Sequence, residues 1–336
     1  MNPSRTYEPE IDGLRALAVM VVVLYHAGFK GFDGGFVGVD IFFVISGYLI
    51  TRNILSDIGA GTFSFREFYI HRARRIFPAM YATMVLCAIA GFFIFSPLDL
   101  ERLGASIVYA SAALPNIFFW QESGYWDTSK QFKPLLHFWS LGVEEQFYFF
   151  WPLLLLWLHR ATRRAETLFR LILSLSVITL LASQYMITKD ATAAFYLTPF
   201  RVFEFGIGAL LIWAKPFFDR LSGRIKEACL LCALAAIILS VRKYSELMPF
   251  PGFAALVPAL AAAVIIGART ARFSGLIFRN RGAIWLGLIS YSLYLVHWPV
   301  LVFANYYSLE DFSKLETVGL ILAAILLAYC MYRFVE

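Results

Sequence analysis

An arginine and a histidine lie eleven residues apart in the first apolar stretch of this sequence, at Arg15 and His26. In an α-helix this spacing brings both side chains within about 20° of one face and about 16 Å apart along the axis. Ionisable side chains inside an apolar membrane helix are costly, and they usually face a bundle interior or a wet cavity. The pair therefore predicts a functional site, although an interfacial anchor and a packed histidine would give the same pattern.

Two further arginines, Arg72 and Arg75, lie three residues apart in the basic segment HRARRIFP (71–78). On a helical turn their side chains project as neighbours, and two planar guanidinium groups can grip a phosphate. The simpler interpretation is a basic loop that remains on the cytoplasmic side of a membrane. The spacing indicates either a phosphate-binding site or a topological signal.

Two adjacent acids, Glu144 and Glu145, occur in LLHFWSLGVEEQFYFFWP (135–152). His137 precedes Glu144 by seven residues, so the two share a face if the helix extends that far. We place the two acids at the outer mouth of a span, where they would orient a cationic partner or tune a base. The alternative is that they snorkel to the outer surface.

Three other groups of polar residues interrupt the apolar runs. Asp40 stands alone in an apolar helix, close to His26 if the first two helices form a hairpin, and a carboxylate there could orient the imidazole. Arg201 and Glu204, three residues apart, are expected to pair with each other or with another helix. The segment SYSLYLVHWP sets Ser290, Tyr294 and His297 along one side of a helix, where an aromatic belt is the alternative.

Composition determines the class of protein. The chain is 60% hydrophobic and 15% charged, whereas about a quarter of the residues of a soluble domain are charged. We therefore predict an all-α polytopic membrane protein, with residues 1–336 as a single domain. The predicted spans are about 14–28, 37–54, 77–96, 140–158, 168–187, 196–214, 228–241, 252–268, 283–304 and 316–332.

The run 103–119 is the exception among the apolar stretches. Counting it as a crossing would move the basic segment 159–170 to the outside, against the positive-inside rule. We therefore interpret it as a re-entrant or interfacial segment, within a long outer segment at 97–139. With ten spans both termini are cytoplasmic, and the net charge of +6 reflects topology rather than binding to nucleic acid.

Several motifs in series resemble the integral-membrane acyltransferase 3 family of O-acyltransferases. The matching pieces are EIDGLRALAVMVVVLYH, GGFVGVDIFFVISGYLI, FYIHRARRIFPA, LLHFWSLGVEEQFYFFWP and SYSLYLVHWP. Together they extend over nearly the whole chain. The final RFVE resembles the start of the segment that leads, in longer members, to an extracytoplasmic SGNH hydrolase-like domain. We therefore expect either a stand-alone member of the family or, as the abrupt end favours, a piece of a longer protein.

The resemblance implies an acetyltransferase of the bacterial inner membrane, with acetyl-CoA as cytoplasmic acyl donor and no metal. The acceptor implied is a hydroxyl of an extracytoplasmic carbohydrate such as lipopolysaccharide O-antigen. Arg15 and His26 correspond to the family's Arg-x10-His pair, Arg72 and Arg75 to its Arg-x-x-Arg. The family's acidic motif falls on two residues, Glu144 and Glu145.

The expected chemistry centres on His26, either as general base on the acceptor hydroxyl or as carrier of the acetyl group, with Asp40 or Glu144 holding its ring. Arg72, Arg75 and Arg15 would hold the donor phosphates. A secondary transporter would also explain buried charges and kinked helices, but it predicts inverted repeats, which the sequence lacks. A structural anchor would leave the buried ionisable residues unexplained.

Overall fold

The computed structural model describes residues 7–123, 132–162, 164–308 and 312–336. No strand occurs in these ranges. The helices are α1 (Pro9–His26), α2 (Gly38–Gly59), α3 (Phe65–Ile94), α4 (Pro97–Ser111), α5 (Pro115–Glu122), α6 (Phe138–Thr162), α7 (Ala165–Ile187), α8 (Ala191–Tyr196), α9 (Val202–Arg220), α10 (Gly223–Lys243), α11 (Gly252–Gly267), α12 (Arg272–Phe278), α13 (Arg281–Leu288), α14 (Ser290–Tyr307) and α15 (Lys314–Phe334).

The predicted all-helical class is confirmed for the described residues, whereas ten membrane spans remain a prediction. By length and hydropathy, four helical segments are able to cross a membrane: Gly35–Gly59, Phe65–Ile94, Ala165–Ile187 and Lys314–Phe334. If each of two bent pairs, α11 with α12 and α13 with α14, is one broken span, the described residues hold up to six. Helix α1 illustrates why the count is lower than ten, because three charged residues lie within its eighteen.

The run 103–119 forms two short helices rather than one long one. Helix α4 ends at Ser111 and α5 begins at Pro115, and the intervening Ala113 has a left-handed backbone with φ of 59°. A helix of fifteen residues extends about 22 Å, less than the roughly 30 Å of a bilayer core. This geometry agrees with a segment that does not cross; within 97–139, residues 124–131 lie outside the described residues.

Helices α2 and α9 cross at the centre of the bundle through glycine. A Cβ atom on Gly47 of α2 would collide with the backbone of Phe205, and one on Gly208 of α9 would collide with the backbone of Val44. Small residues permit this close approach, which replaces the hydrophobic effect as a source of helix association in lipid. The contact fixes α2 against α9, and α2 supplies one wall of the cavity described below.

Both ends of the described chain lie on the same face of the bundle. Glu8, just before α1, and Glu336, just after α15, line one cavity, and Glu336 accepts a 2.8 Å hydrogen bond from the Ser292 hydroxyl. We call this side the terminal face. Helix α1 starts there and ends at His26, toward the opposite face of the bundle.

Candidate active site

A cavity of about 470 Å³ opens at the terminal face between α1, α2, α3, α6 and α14. It brings together residues that are far apart in the sequence and that the motifs had singled out separately. These are Arg15, Arg72, Arg75, Glu144, Glu145, Ser290 and Tyr294. The cavity therefore gathers the three predicted donor-binding arginines with both acids of the acidic motif.

Arg15 is held on the cavity wall by an acid of its own helix. Its guanidinium lies 3.1 Å from Asp12, one helical turn earlier, and the hydroxyl of Tyr7 donates a 2.7 Å hydrogen bond to the same carboxylate. Asp12 was not among the residues that we predicted from the sequence. Its spacing of three from Arg15 is the signal that identifies it.

Arg72 stacks on aromatic rings, so that its position is fixed without a carboxylate. Its guanidinium carbon lies 5.6 Å from the centre of the Tyr148 ring and 5.9 Å from that of Phe68. Among the described residues, neither Arg72 nor Arg75 forms an ion pair with an acid. Both guanidinium groups are thus available to an anionic ligand, with Arg72 pre-positioned by its cation–π contacts.

Glu144 lies inside the bundle and not at the outer mouth of a span, which corrects our expectation. Its carboxylate accepts a 2.7 Å hydrogen bond from the Ser46 hydroxyl of α2, and Ser46 lies 3.0 Å from the hydroxyl of Tyr148. The reason is that α6 packs against α2, so this face of α6 points into the cavity and away from the surface. Glu145 lines the same cavity, and one of its buried carboxylate oxygens has no donor in the described structure.

Three histidines form a second cluster toward the opposite face. The Nδ1 atom of His26 lies 2.9 Å from the Nε2 atom of His297, and the two rings are nearly parallel, at 20°, with centroids 5.1 Å apart. The ring of His137 packs edge-on against His297 at 5.4 Å. His137 and His297 are buried, whereas His26 is partly exposed at the end of α1. No spacing in the sequence predicts that these residues meet.

His137 belongs to the turn before α6, because the helix begins at Phe138. It therefore does not share a helical face with Glu144. Its Nε2 atom lies 3.0 Å from the carbonyl oxygen of Leu295 on α14. This bond ties the start of α6 to the middle of α14, and so positions His137 beside His297.

Tyr294 connects the cavity with the histidine cluster. It lines the cavity, and its hydroxyl lies 2.6 Å from the hydroxyl of Ser140 and donates to the carbonyl oxygen of His137 at 3.1 Å. Its ring centre is 5.6 Å from that of His297. The two groups of predicted residues are therefore parts of one continuous site, with Tyr294 between them.

Asp40 faces Arg201 and not His26, which is a second correction. Arg201 lies 3.4 Å from Asp40 and 3.0 Å from Glu204, and all three side chains are almost fully buried. The guanidinium of Arg201 is also within 5.7 Å of four ring centres, those of Phe43, Trp139, Phe195 and Phe250. Asp40 points this way because α2 packs closely on α9. The three side chains form a buried ion-pair network that joins α2 to the start of α9.

No group of three or more His, Cys, Asp and Glu side chains in the described ranges is arranged to hold a metal ion. In the histidine cluster, the Nε2 atom of His137 and the Nδ1 atom of His297 both face backbone carbonyl oxygens, so these two nitrogens carry protons.

Comparison with known proteins identifies the family of this chain. A family model described as an acyltransferase domain matches residues 8–333. The chain is 32% identical to the peptidoglycan O-acetyltransferase OatA of Listeria monocytogenes over 350 residues, which cover 99% of this chain and 56% of that protein. It is 31% identical to the O-acetyltransferase OatA of Staphylococcus aureus, covering 99% of this chain and 57% of that protein.

The chain thus spans little more than half the length of these relatives. No solved structure matches it. The arrangement described above therefore stands on the contacts of this chain alone.

Proposed function

Because the chain belongs to the acyltransferase 3 family, we propose that it transfers an acetyl group from acetyl-CoA, bound at the terminal face, toward a hydroxyl of a cell-wall carbohydrate beyond the opposite face. The observation that carries this proposal is the convergence of Arg15, Arg72 and Arg75 on one cavity. Tyr294 links that cavity to the histidine pair. A membrane anchor has no need of such a connected site.

The donor would bind with its phosphates at the mouth of the cavity. Arg72 and Arg75 supply guanidinium groups that form no ion pair with an acid among the described residues, and such groups bind phosphate through paired, charge-assisted hydrogen bonds. The terminal face would be cytoplasmic, because two basic residues of a segment predicted to be inside lie against acids at this face: Arg269 against Glu8 and Arg279 against Glu10. Both termini are then cytoplasmic, as the ten-span topology requires.

The acyl end of the donor would extend along α1 toward His26. Arg15 and His26 are about 16 Å apart along this helix, and Ser140 and Tyr294 lie between the cavity and the histidines. At His26 the imidazole would remove the proton from the acceptor hydroxyl, whose oxygen attacks the thioester carbonyl. An acetyl-histidine intermediate is the other version of the same step, with His26 as nucleophile.

The acceptor would approach from the opposite face, where His26 is partly exposed. The ring of Trp298 lies 4.6 Å from that of His26 and the ring of Tyr25 lies 4.9 Å from it. The indole N–H of Trp298 donates a 2.8 Å hydrogen bond to the carbonyl oxygen of Lys133, which fixes its orientation. Two aromatic rings beside the reactive nitrogen suit the apolar face of a sugar.

Peptidoglycan replaces lipopolysaccharide O-antigen as the acceptor in this proposal. The family resemblance implied an extracytoplasmic carbohydrate such as lipopolysaccharide O-antigen, but the Listeria relative is by name a peptidoglycan O-acetyltransferase. A secondary transporter is not favoured by any contact described here, and the family argues against it.

The proposal is tested by following labelled acetyl groups. The chain is reconstituted in proteoliposomes with acetyl-CoA labelled on the acetyl group and a soluble peptidoglycan oligosaccharide as acceptor. We expect label on the oligosaccharide for the wild type and for His159→Ala, a control at the end of α6 that lies outside the site. We expect transfer to fall about 10²-fold or more for His26→Ala.

Full transfer by a folded His26→Ala variant would overturn the assignment of His26. Absence of both labelled oligosaccharide and CoA release from the folded wild type would overturn the acetyl-CoA-dependent reaction itself.

A further inference from the structure

The hydrogen bonds of the three histidines determine which nitrogen atoms carry protons. The Nδ1 atom of His297 lies 2.8 Å from the carbonyl oxygen of Tyr294 and 3.1 Å from that of Leu293. Carbonyl oxygens only accept hydrogen bonds, so Nδ1 of His297 must be the protonated nitrogen. No acid contacts this ring in the described structure, and an unpaired buried charge would be very costly. His297 is therefore neutral, with its lone pair on Nε2.

The proton of His26 follows from the proton of His297. The lone pair on Nε2 of His297 faces Nδ1 of His26 at 2.9 Å, and a hydrogen bond between the two requires Nδ1 of His26 to be the donor. The neutral ring of His26 then carries its lone pair on Nε2. The backbone of α14 determines which nitrogen of His297 carries the proton, and through His297 it also determines which nitrogen of His26 does.

His137 completes the pattern without competing for the role of base. Its Nε2 atom faces the carbonyl oxygen of Leu295 at 3.0 Å, so this nitrogen is protonated. Its ring is 2% exposed and the ring of His297 is 1% exposed, whereas His26 is partly exposed. Of the three rings, His26 is the one that combines a defined lone pair with access from outside the bundle.

From these contacts we propose that His297 is a positioning residue, which fixes His26 in its Nδ1–H tautomer and so makes Nε2 of His26 the atom that accepts the proton in acyl transfer. The inference rests on the proposed function for the identity of the reaction. The tautomer itself rests on the hydrogen bonds alone.

The step that this arrangement supports is balanced in atoms and charge. The acceptor hydroxyl gives its proton to Nε2 of His26 while its oxygen forms a bond to the thioester carbonyl carbon. Collapse of the tetrahedral adduct breaks the carbon–sulfur bond, and the leaving thiolate takes the proton back from His26. While His26 is cationic, its Nδ1–H bond to the neutral Nε2 of His297 becomes charge-assisted and stronger.

Substitutions at residue 297 separate this role from simple packing. The side-chain amide of Gln lies near the position of Nε2 of histidine, and its oxygen can accept from Nδ1–H of His26. The amide of Asn lies near Nδ1 and is too short to reach. We expect His297→Asn and His297→Ala to lower kcat by about 10²-fold or more, and His297→Gln to retain kcat within roughly tenfold of the wild type. The dissociation constant for acetyl-CoA should stay unchanged in all three.

Solid-state nitrogen-15 NMR of histidine-labelled protein provides a readout that does not depend on activity. The wild type should show His26, assigned by its loss in His26→Ala, as the Nδ1–H tautomer. His297→Ala should convert it to a mixture or to the Nε2–H form, and His297→Gln should preserve it.

An Nε2–H signal for His26 in the wild type would overturn the inference, as would a His297→Gln variant no more active than His297→Asn. Unchanged kcat in His297→Ala would do the same. If the wild type neither binds acetyl-CoA nor transfers acetyl, the proposed function fails, and the NMR experiment still decides the tautomer.

Discussion

Arg201, just before α9, and Asp40 of α2 form a buried ion pair of 3.4 Å, with neither side chain more than 1% exposed. The pair joins the two helices that pack most closely, and Glu204 shares the same guanidinium at 3.0 Å. A single cation thus lies between two buried acids, and four aromatic rings surround it. The network holds the α2 wall of the active-site cavity in place.

Removal of the shared cation should unfold this part of the protein. Arg201→Met leaves Asp40 and Glu204 as buried acids without a partner, at a cost of about 3–5 kcal/mol. We expect a lower thermal unfolding temperature in detergent. The triple variant Arg201→Met, Asp40→Asn, Glu204→Gln removes all three charges and should recover much of the loss. A single variant as stable as the wild type would contradict the ion-pair network.

The glycine contact between α2 and α9 makes a second prediction about stability. Gly208→Ala places a methyl group against the backbone of Val44, and overpacking of this kind costs about 1–3 kcal/mol. Gly319→Ala is the matched control, because it is also within a helix and an added Cβ there meets no atom within 4 Å. Thermal unfolding should show a loss for Gly208→Ala and none for Gly319→Ala. Equal behaviour of the two variants would mean that α2 and α9 do not pack through Gly208.

Trp298 should determine how well the glycan acceptor binds. Its ring lies 4.6 Å from that of His26 on the side where the acceptor would enter, and loss of one aromatic contact is worth about 1 kcal/mol. Trp298→Ala is therefore expected to raise KM for the oligosaccharide roughly fivefold, with acetyl-CoA affinity unchanged. Trp298→Phe keeps an aromatic face, so its KM for the oligosaccharide should lie between those of the wild type and Trp298→Ala. A Trp298→Ala variant with wild-type KM for the acceptor would place the glycan elsewhere.

The sequence predicted the all-helical class and the proximity of Arg72 and Arg75 better than it predicted the contacts between helices. Apolar runs indicate helices because burial in lipid requires them, and Arg72 and Arg75 are neighbours through local helical geometry alone. Asp40, by contrast, was assigned to His26 because adjacent helices were expected to pair, and the packing of α2 on α9 turned it to Arg201.

The histidine cluster could not be predicted for a similar reason. His26 and His297 are 271 residues apart, and no helical period relates them. The hydrogen bond of Ser46 to Glu144 likewise joins two helices whose relative rotation is set by tertiary packing. Periodicity predicts which face of a helix is polar, but it does not predict which helix that face will meet.

The central claim, an acetyl-CoA site at the terminal-face arginines, is tested most directly by calorimetric titration of the purified protein in detergent. We expect saturable binding of acetyl-CoA to the wild type. Arg72→Ala and Arg75→Ala should each weaken the affinity for acetyl-CoA about ten- to a hundredfold. Arg74→Ala is the matched control, since this residue is exposed between the two and does not line the cavity. Absence of acetyl-CoA binding to the folded wild type would contradict the proposed donor site. An Arg72→Ala, Arg75→Ala double variant with the affinity of the wild type would contradict it as well.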